Sequence, residues 1–185
     1  AHLDTLDQYF GRKYNHGTPF RRAVEEGLVD PHRSIQVGIR GSNYGPEDYQ
    51  GTRDLGYELI TMYELQQIGL EATLERIHRR VGPAPCFISI DIDAVDPAYA
   101  PGTGTPEVDG FTSREILRLV RGLKGLNFKA ADVVEVHAHG QPGIAWLREG
   151  AEVLEAAIAA VLRPEAGEVR PRLPGHAVDR LAGGI

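Results

Sequence analysis

The residues of this chain best equipped for chemistry lie in Ser89-Ile90-Asp91-Ile92-Asp93-Ala94-Val95-Asp96-Pro97. Asp91 and Asp93 stand two residues apart at the end of a nearly continuous apolar run, residues 86–92. In an extended strand, residues i and i+2 face the same side, so both carboxylates are expected on one face. Burying two like charges together is prohibitive unless a cation sits between them. The carboxyl ends of strands in open α/β sheets are also where ligands bind. The plainer alternative is that Asp93 and Asp96 are solvated loop acids capping a turn.

The chain continues as Pro97-Ala98-Tyr99-Ala100-Pro101-Gly102-Thr103-Gly104-Thr105-Pro106-Glu107-Val108-Asp109-Gly110, a segment rich in turn formers and long for a connector. Hung over a carboxylate pair, such a loop suits a wall that shapes a substrate. Three shorter features carry polar chemistry of their own. His2-Leu3-Asp4 sets an imidazole beside a carboxylate, and Asn15-His16-Gly17-Thr18-Pro19-Phe20 sets a histidine in a turn. Glu135 lies in Asp132-Val133-Val134-Glu135-Val136, a strand-like run where a buried carboxylate needs a partner. A surface histidine, a turn residue and a structural ion pair are the ordinary readings of the three.

Together these segments resemble the ureohydrolase family of arginases, agmatinases and their relatives. Residues 89–110 resemble the family signature, with every motif position filled. His2-Leu3-Asp4 resembles the end of an Asp-Ala-His-x-Asp ligand motif, and residues 15–20 resemble a His-Gly-Thr segment. Residues 132–136 resemble the strand bearing a substrate-binding glutamate. The likeness runs over nearly all of residues 1–136 and is nearest to agmatinases in residues 14–20 and 40–48. It implies two Mn²⁺ ions per active site, with His2, Asp4, Asp91 and Asp93 among the ligands and Asp91 bridging. It implies His16 and Asp93 as catalytic residues, and Glu135, Thr105 and Asn15 as substrate-binding residues. An oxygen-rich donor set with one imidazole suits Mn²⁺ better than zinc. A carboxylate also meets a guanidinium as a bidentate pair. The implied reaction is hydrolysis of a small cationic guanidino compound, agmatine first, to urea and an amine (putrescine), in a homo-oligomer. Rival readings are a guanidino-acid hydrolase such as a guanidinobutyrase, a non-catalytic remnant, and a metal-binding scaffold using only His2, Asp91 and Asp93.

The sequence departs from the family pattern in two places. The family uses six metal ligands and this sequence holds four, since an upstream histidine and an aspartate expected just before Ala1 are not in it. The family's opening strands are not in it either, so the sequence reads as part of a longer protein. After Glu135-Val136, a Ser/Ala-Pro-x-Tyr-Asp segment is replaced by His137-Ala138-His139-Gly140-Gln141-Pro142. That segment holds no lysine or arginine to meet a substrate carboxylate, which favours agmatine over arginine. His137 and His139 read as an inert exposed pair rather than as metal ligands.

The elements that must position these residues alternate between strand and helix. The alternation predicts an α/β, three-layer fold with a mostly parallel sheet and helices on both faces. Strands are expected over residues 34–39, 58–61, 86–92 and 131–136. Helices are expected over residues 71–80, stopped by Gly82-Pro83, and from a Thr112–Glu115 capping box to Gly125. A third, Ala-rich helix is expected over 151–162. One domain, 1–163, and a loosely ordered tail, 164–185, account for the chain.

Hydrophobic residues at 42% and charged residues at 25% are ordinary for a soluble domain. A net charge of −6 argues against nucleic acid as a partner and suits a cationic substrate. No run approaches the roughly 18 apolar residues of a membrane span. The single cysteine, Cys86, excludes an internal disulfide and reads as core packing. With no leader-like start, it points to the cytoplasm.

Overall fold

Short β-branched runs and longer amphipathic runs alternate along the chain, and the structure, a computed structural model, turns them into strands and helices in that order. It describes residues 1–41, 43, 45–137 and 158–159. The elements are α1 (Pro19–Glu25), a 3-10 turn (Pro31–Arg33), β1 (Ile35–Ile39), α2 (Pro46–Asp54), β2 (Glu58–Thr61) and α3 (Met62–Val81). Then come β3 (Pro85–Asp91), a second 3-10 turn (Ile92–Ala94), α4 (Ser113–Gly122) and β4 (Asn127–Val134). β1 pairs in parallel with β2, and β3 with β4. Each pair is joined by a helical crossover, as parallel strands require. Val37 lies opposite Ile60, and Asp91 lies opposite Val134. The α/β class expected from the alternation is the class observed.

The main core gathers between the strands and α3 and α4. Ile60, Phe111 and Val120 are its most deeply buried large side chains, with Ile77, Ile90, Ile92, Ile116 and Leu119 around them. On α4 the apolar stripe faces this core, and the start is fixed as expected. The Thr112 hydroxyl accepts the Glu115 N–H at 3.2 Å, while Glu115 accepts the Thr112 N–H at 2.8 Å. At the other end of α3, Arg80 donates to the carbonyls of Pro31 (3.1 Å), Ser34 (3.2 Å) and Gly56. It thereby locks the entries of β1 and β2 together.

Four expectations need correction. Non-helical Gly69, with φ 83° and ψ 165°, divides α3 in two: the second part is the helix expected over 71–80, and the first, from Met62, was not expected. β4 starts at Asn127 and ends at Val134, so Glu135 lies just beyond the strand rather than on it. α1 and α2 have no counterpart among the expected helices, because α2 buries only Thr52 and α1 only Arg22, leaving no apolar periodicity to read. Cys86 is partly exposed rather than core, although burial still pushes its thiol pKa up. The expected helix at 151–162 lies outside the described residues except for Ile158 and Ala159, which are helical, with Ile158 in the core. The tail at 164–185 and residues 138–142 lie outside them as well.

Candidate metal centre

β3 delivers Asp91 at its last position, and the chain then tightens into the 3-10 turn. Asp91 Oδ1 accepts the Asp93 N–H at 2.8 Å, capping that turn. This corrects the expected geometry: the turn, not strand alternation, brings Asp93 beside Asp91. The start of the chain crosses the same point. His2 N–H donates to Asp91 Oδ2 at 3.1 Å, its Nδ1 lies 3.1 Å from that oxygen, and its Nε2 lies 3.5 Å from Asp93 Oδ2. Loop 97–110 closes over the group. The Thr105 hydroxyl donates to Asp93 Oδ2 at 2.6 Å and lies 2.9 Å from His2 Nε2.

Asp93 is 1% exposed, and its Oδ1 is buried with no hydrogen-bond partner among the described residues. Burial raises its carboxyl pKa, the Thr105 hydrogen bond opposes the rise, and the Asp91 charge reinforces it. Asp91 also feels burial pushing upward, but its His2 hydrogen bond and the Asp93 N–H bring it below the usual carboxylate value. The same hydrogen bond to Asp91 raises the His2 imidazole against the pull of burial. One ligand atom from each of His2, Asp91 and Asp93 lies within 4.8 Å of the others. A buried acidic pair with an orphaned oxygen is the arrangement that a divalent cation would compensate. Two carboxylates and one imidazole make a hard donor set, which fits Mn²⁺.

The other expected site residues surround this group without joining it. Asp4 is outside the three-residue cluster, but its carboxyl feels His2, Asp91, Glu135 and His16. Burial first, then these charges, leave its pKa at about 6. Asp4 (φ 52°) and Glu135 (φ 63°) both hold left-handed backbone, uncommon for residues with a side chain and frequent at functional sites. His16 is exposed and meets the Tyr9 ring edge-on at 4.9 Å. Beside it, a Cβ at Gly17 would stand 3.2 Å from that ring, a tight approach that would require the ring to shift. The buried Thr18 hydroxyl donates to Lys13 O at 2.7 Å and accepts the Asn15 N–H at 3.0 Å, shaping the turn that carries Asn15 and His16. Asn15 Oδ1 is buried with no hydrogen-bond partner among the described residues. Phe20 N–H donates to Asp4 O at 3.1 Å and Leu6 N–H to Gly17 O at 3.2 Å, stitching this turn to the ligand segment.

Asp96 is the turn-capping acid that Asp93 is not. Its Oδ1 accepts the Ala98 N–H at 2.9 Å and its Oδ2 the Gly110 N–H at 3.2 Å. His137 donates its N–H to Gly102 O at 2.8 Å, and its ring packs over Gly104, outside the metal cluster. Sequence pattern assigns Arg40 no role. In the structure it bonds four carbonyls of the segment 94–108. The available signal was a lone charge closing an apolar strand at its carboxyl end, where sites form.

Likeness to known proteins bears on the family and the fold. A sequence profile described as the arginase family matches residues 1–159. A guanidinopropionase of Pseudomonas aeruginosa is 52% identical over 155 residues, 83% of this chain and 49% of that protein. A mitochondrial agmatinase of Gallus gallus is 48% identical over 136 residues, 74% of this chain and 40% of that protein. The chain therefore spans half or less of the length of these relatives. Among solved structures, a proclavaminate amidino hydrolase of Streptomyces clavuligerus aligns with a TM-score of 0.77 at 38% identity. That alignment covers 88% of this chain and 55% of the other. A family match over most of the sequence and a shared fold lead to one conclusion: the chain belongs to the arginase family.

Proposed function

We propose that the protein is a manganese-dependent amidinohydrolase that splits a guanidino compound into urea and an amine. The buried Asp93 carboxylate carries this reading, with one oxygen held by Thr105 and the other unpartnered beside Asp91 and His2. His2, Asp91 and Asp93 would hold one cation, and Asp4 would contribute to a second. A bound Mn²⁺ pair would supply Lewis acidity that makes hydroxide available near neutral pH.

The side chains then divide the remaining work. Glu135 receives the guanidinium, since a carboxylate matches it with two parallel hydrogen bonds. Asn15 Oδ1 offers a further acceptor to substrate N–H groups. Asp93 Oδ2, already oriented by Thr105, holds the proton released as the guanidinium carbon is attacked. His16 is exposed beside the Asp4 charge and protonates the departing amine.

For the substrate, the net charge of −6 and the lack of lysine or arginine in residues 137–142 favour a compound with a plain ammonium at its far end, such as agmatine. One observation favours a guanidino acid instead. Arg12 and Lys13 are exposed on the turn that holds Asn15 and could meet a carboxylate, and the 52% identical relative is a guanidinopropionase. Urea release with Mn²⁺ from agmatine, guanidinopropionate, guanidinobutyrate and arginine tests both readings. The agmatine reading expects agmatine to exceed arginine by at least about tenfold in kcat/KM, or about 1.4 kcal/mol. A preference for guanidinopropionate would establish the second reading, and no urea from any of the four would contradict the hydrolase.

A further inference from the structure

We propose that Arg40 is a positioning residue for this site: its guanidinium grips both roots of loop 97–110 and so holds Thr105 against Asp93. Arg40 follows β1 directly, and its neighbour Ile39 is only 2% exposed, so the side chain starts from a fixed strand end. From there Nη1 donates to Ala94 O at 3.2 Å and Nη2 to Val95 O at 3.4 Å, at the entry of the loop. Nε donates to Val108 O at 2.9 Å and Nη2 to Glu107 O at 2.7 Å, at its exit.

A planar guanidinium with five N–H donors can serve these separated carbonyls together, whereas an ammonium is a point donor on a flexible stem. The loop closes on it without slack, since a Cβ at Gly110 would stand 2.5 Å from Arg40 Nη2. The shortest of the four bonds falls on Glu107, two residues beyond Thr105. A shift at Glu107 therefore reaches the 2.6 Å hydrogen bond that orients Asp93. β1 is paired with β2, while Ala94 and Val95 continue from β3. Arg40 thus ties the two strand pairs together at the point where the ligands converge.

The inference rests on the reading of His2, Asp91 and Asp93 as cation ligands. A double-mutant cycle in the full chain tests it, with Mn²⁺ affinity measured by calorimetry for Arg40→Lys, Thr105→Val and the double variant. Amide exchange at Asp96 and Phe111 is followed alongside, and Arg40→Gln is run in parallel in case Arg40→Lys fails to fold. Each single variant is expected to weaken Mn²⁺ binding by about tenfold, or about 1.4 kcal/mol, and the double no further than the weaker single. The two loop amides should exchange faster in the Arg40 variants while amides of α4 do not. Unchanged affinity in both Arg40 variants, or losses that multiply in the double, would overturn the inference. No Mn²⁺ uptake by the unsubstituted chain would sink the ligand reading instead, and the exchange comparison would then decide the loop clamp alone.

Discussion

Asp93 and Asp96 are of the same type, three positions apart after one strand, and they end in opposite roles. Asp96 spends its oxygens on the N–H groups of Ala98 and Gly110, while Asp93 keeps a bare oxygen in a buried site. No spacing rule separates them, because the difference arises in the 3-10 turn that the Asp91 side chain caps. The acidic pair was therefore legible in the sequence, but the way it converges was not. Those backbone hydrogen bonds hold the Asp96 carboxyl below the usual aspartate value. A lowered folded value means that the stabilisation is complete above the unfolded pKa and is lost as pH falls through the folded one. Asp96→Asn should therefore be less stable than the parent near neutrality, with the gap closing toward acid pH. Denaturant midpoints measured across the acid range check this, and a pH-independent gap would refute it. His16 is exposed and holds no place in the metal cluster. Its replacement, His16→Ala, should leave Mn²⁺ content intact while urea release falls by about 10²- to 10⁴-fold. Steady-state kinetics with metal analysis of the same samples would expose a wrong assignment as lost metal or an unchanged rate.

Among the elements, those with strong local grammar were readable. The Thr112–Glu115 capping box and the stripe of α4 formed as expected, because a short hydroxyl, a glutamate at N3 and a regular apolar period all act within one helix. The sequence pattern places the start of β4 too late because its first half carries Asn127 and the exposed Lys129, which break the apolar run. That misplaced boundary puts Glu135 on a strand, whereas the chain leaves the strand there at φ 63°. Phe111 joins elements that are far apart in sequence, something no local pattern reports. It is 1% exposed, exchanges backbone hydrogen bonds with Ala94 and Asp96 at 2.9 Å, and its ring presses on Gly38 of β1. Phe111→Ala should cost about 3–5 kcal/mol. Thr112→Ala, next along the chain, removes only a cap and should cost about 1 kcal/mol. Equal losses in chemical denaturation would mean that Phe111 does not anchor the core as its burial implies.

At the scale of the whole molecule, the family was legible because the resemblance rests on short segments, residues 2–4, 15–20, 89–110 and 132–136, all held in a chain spanning half of its relatives or less. How the segments meet was not legible, since His2, Asp91 and Thr105 are brought together only by the fold. Among the described residues no helix is long and apolar enough to cross a membrane. Because His2, Asp91 and Asp93, the proposed cation ligands, assemble only when the chain folds, a cation held there should raise stability with its occupancy. Mn²⁺ at a hundred times its Kd should add about 2.7 kcal/mol, visible as a rise in Tm. The most direct test is calorimetric titration of Mn²⁺ into the chain beside Asp91→Asn. The three-residue site predicts about one tightly held Mn²⁺ per chain and its loss in the variant. No uptake by the parent chain, or equal uptake by Asp91→Asn, would contradict the assignment of His2, Asp91 and Asp93 as a metal centre.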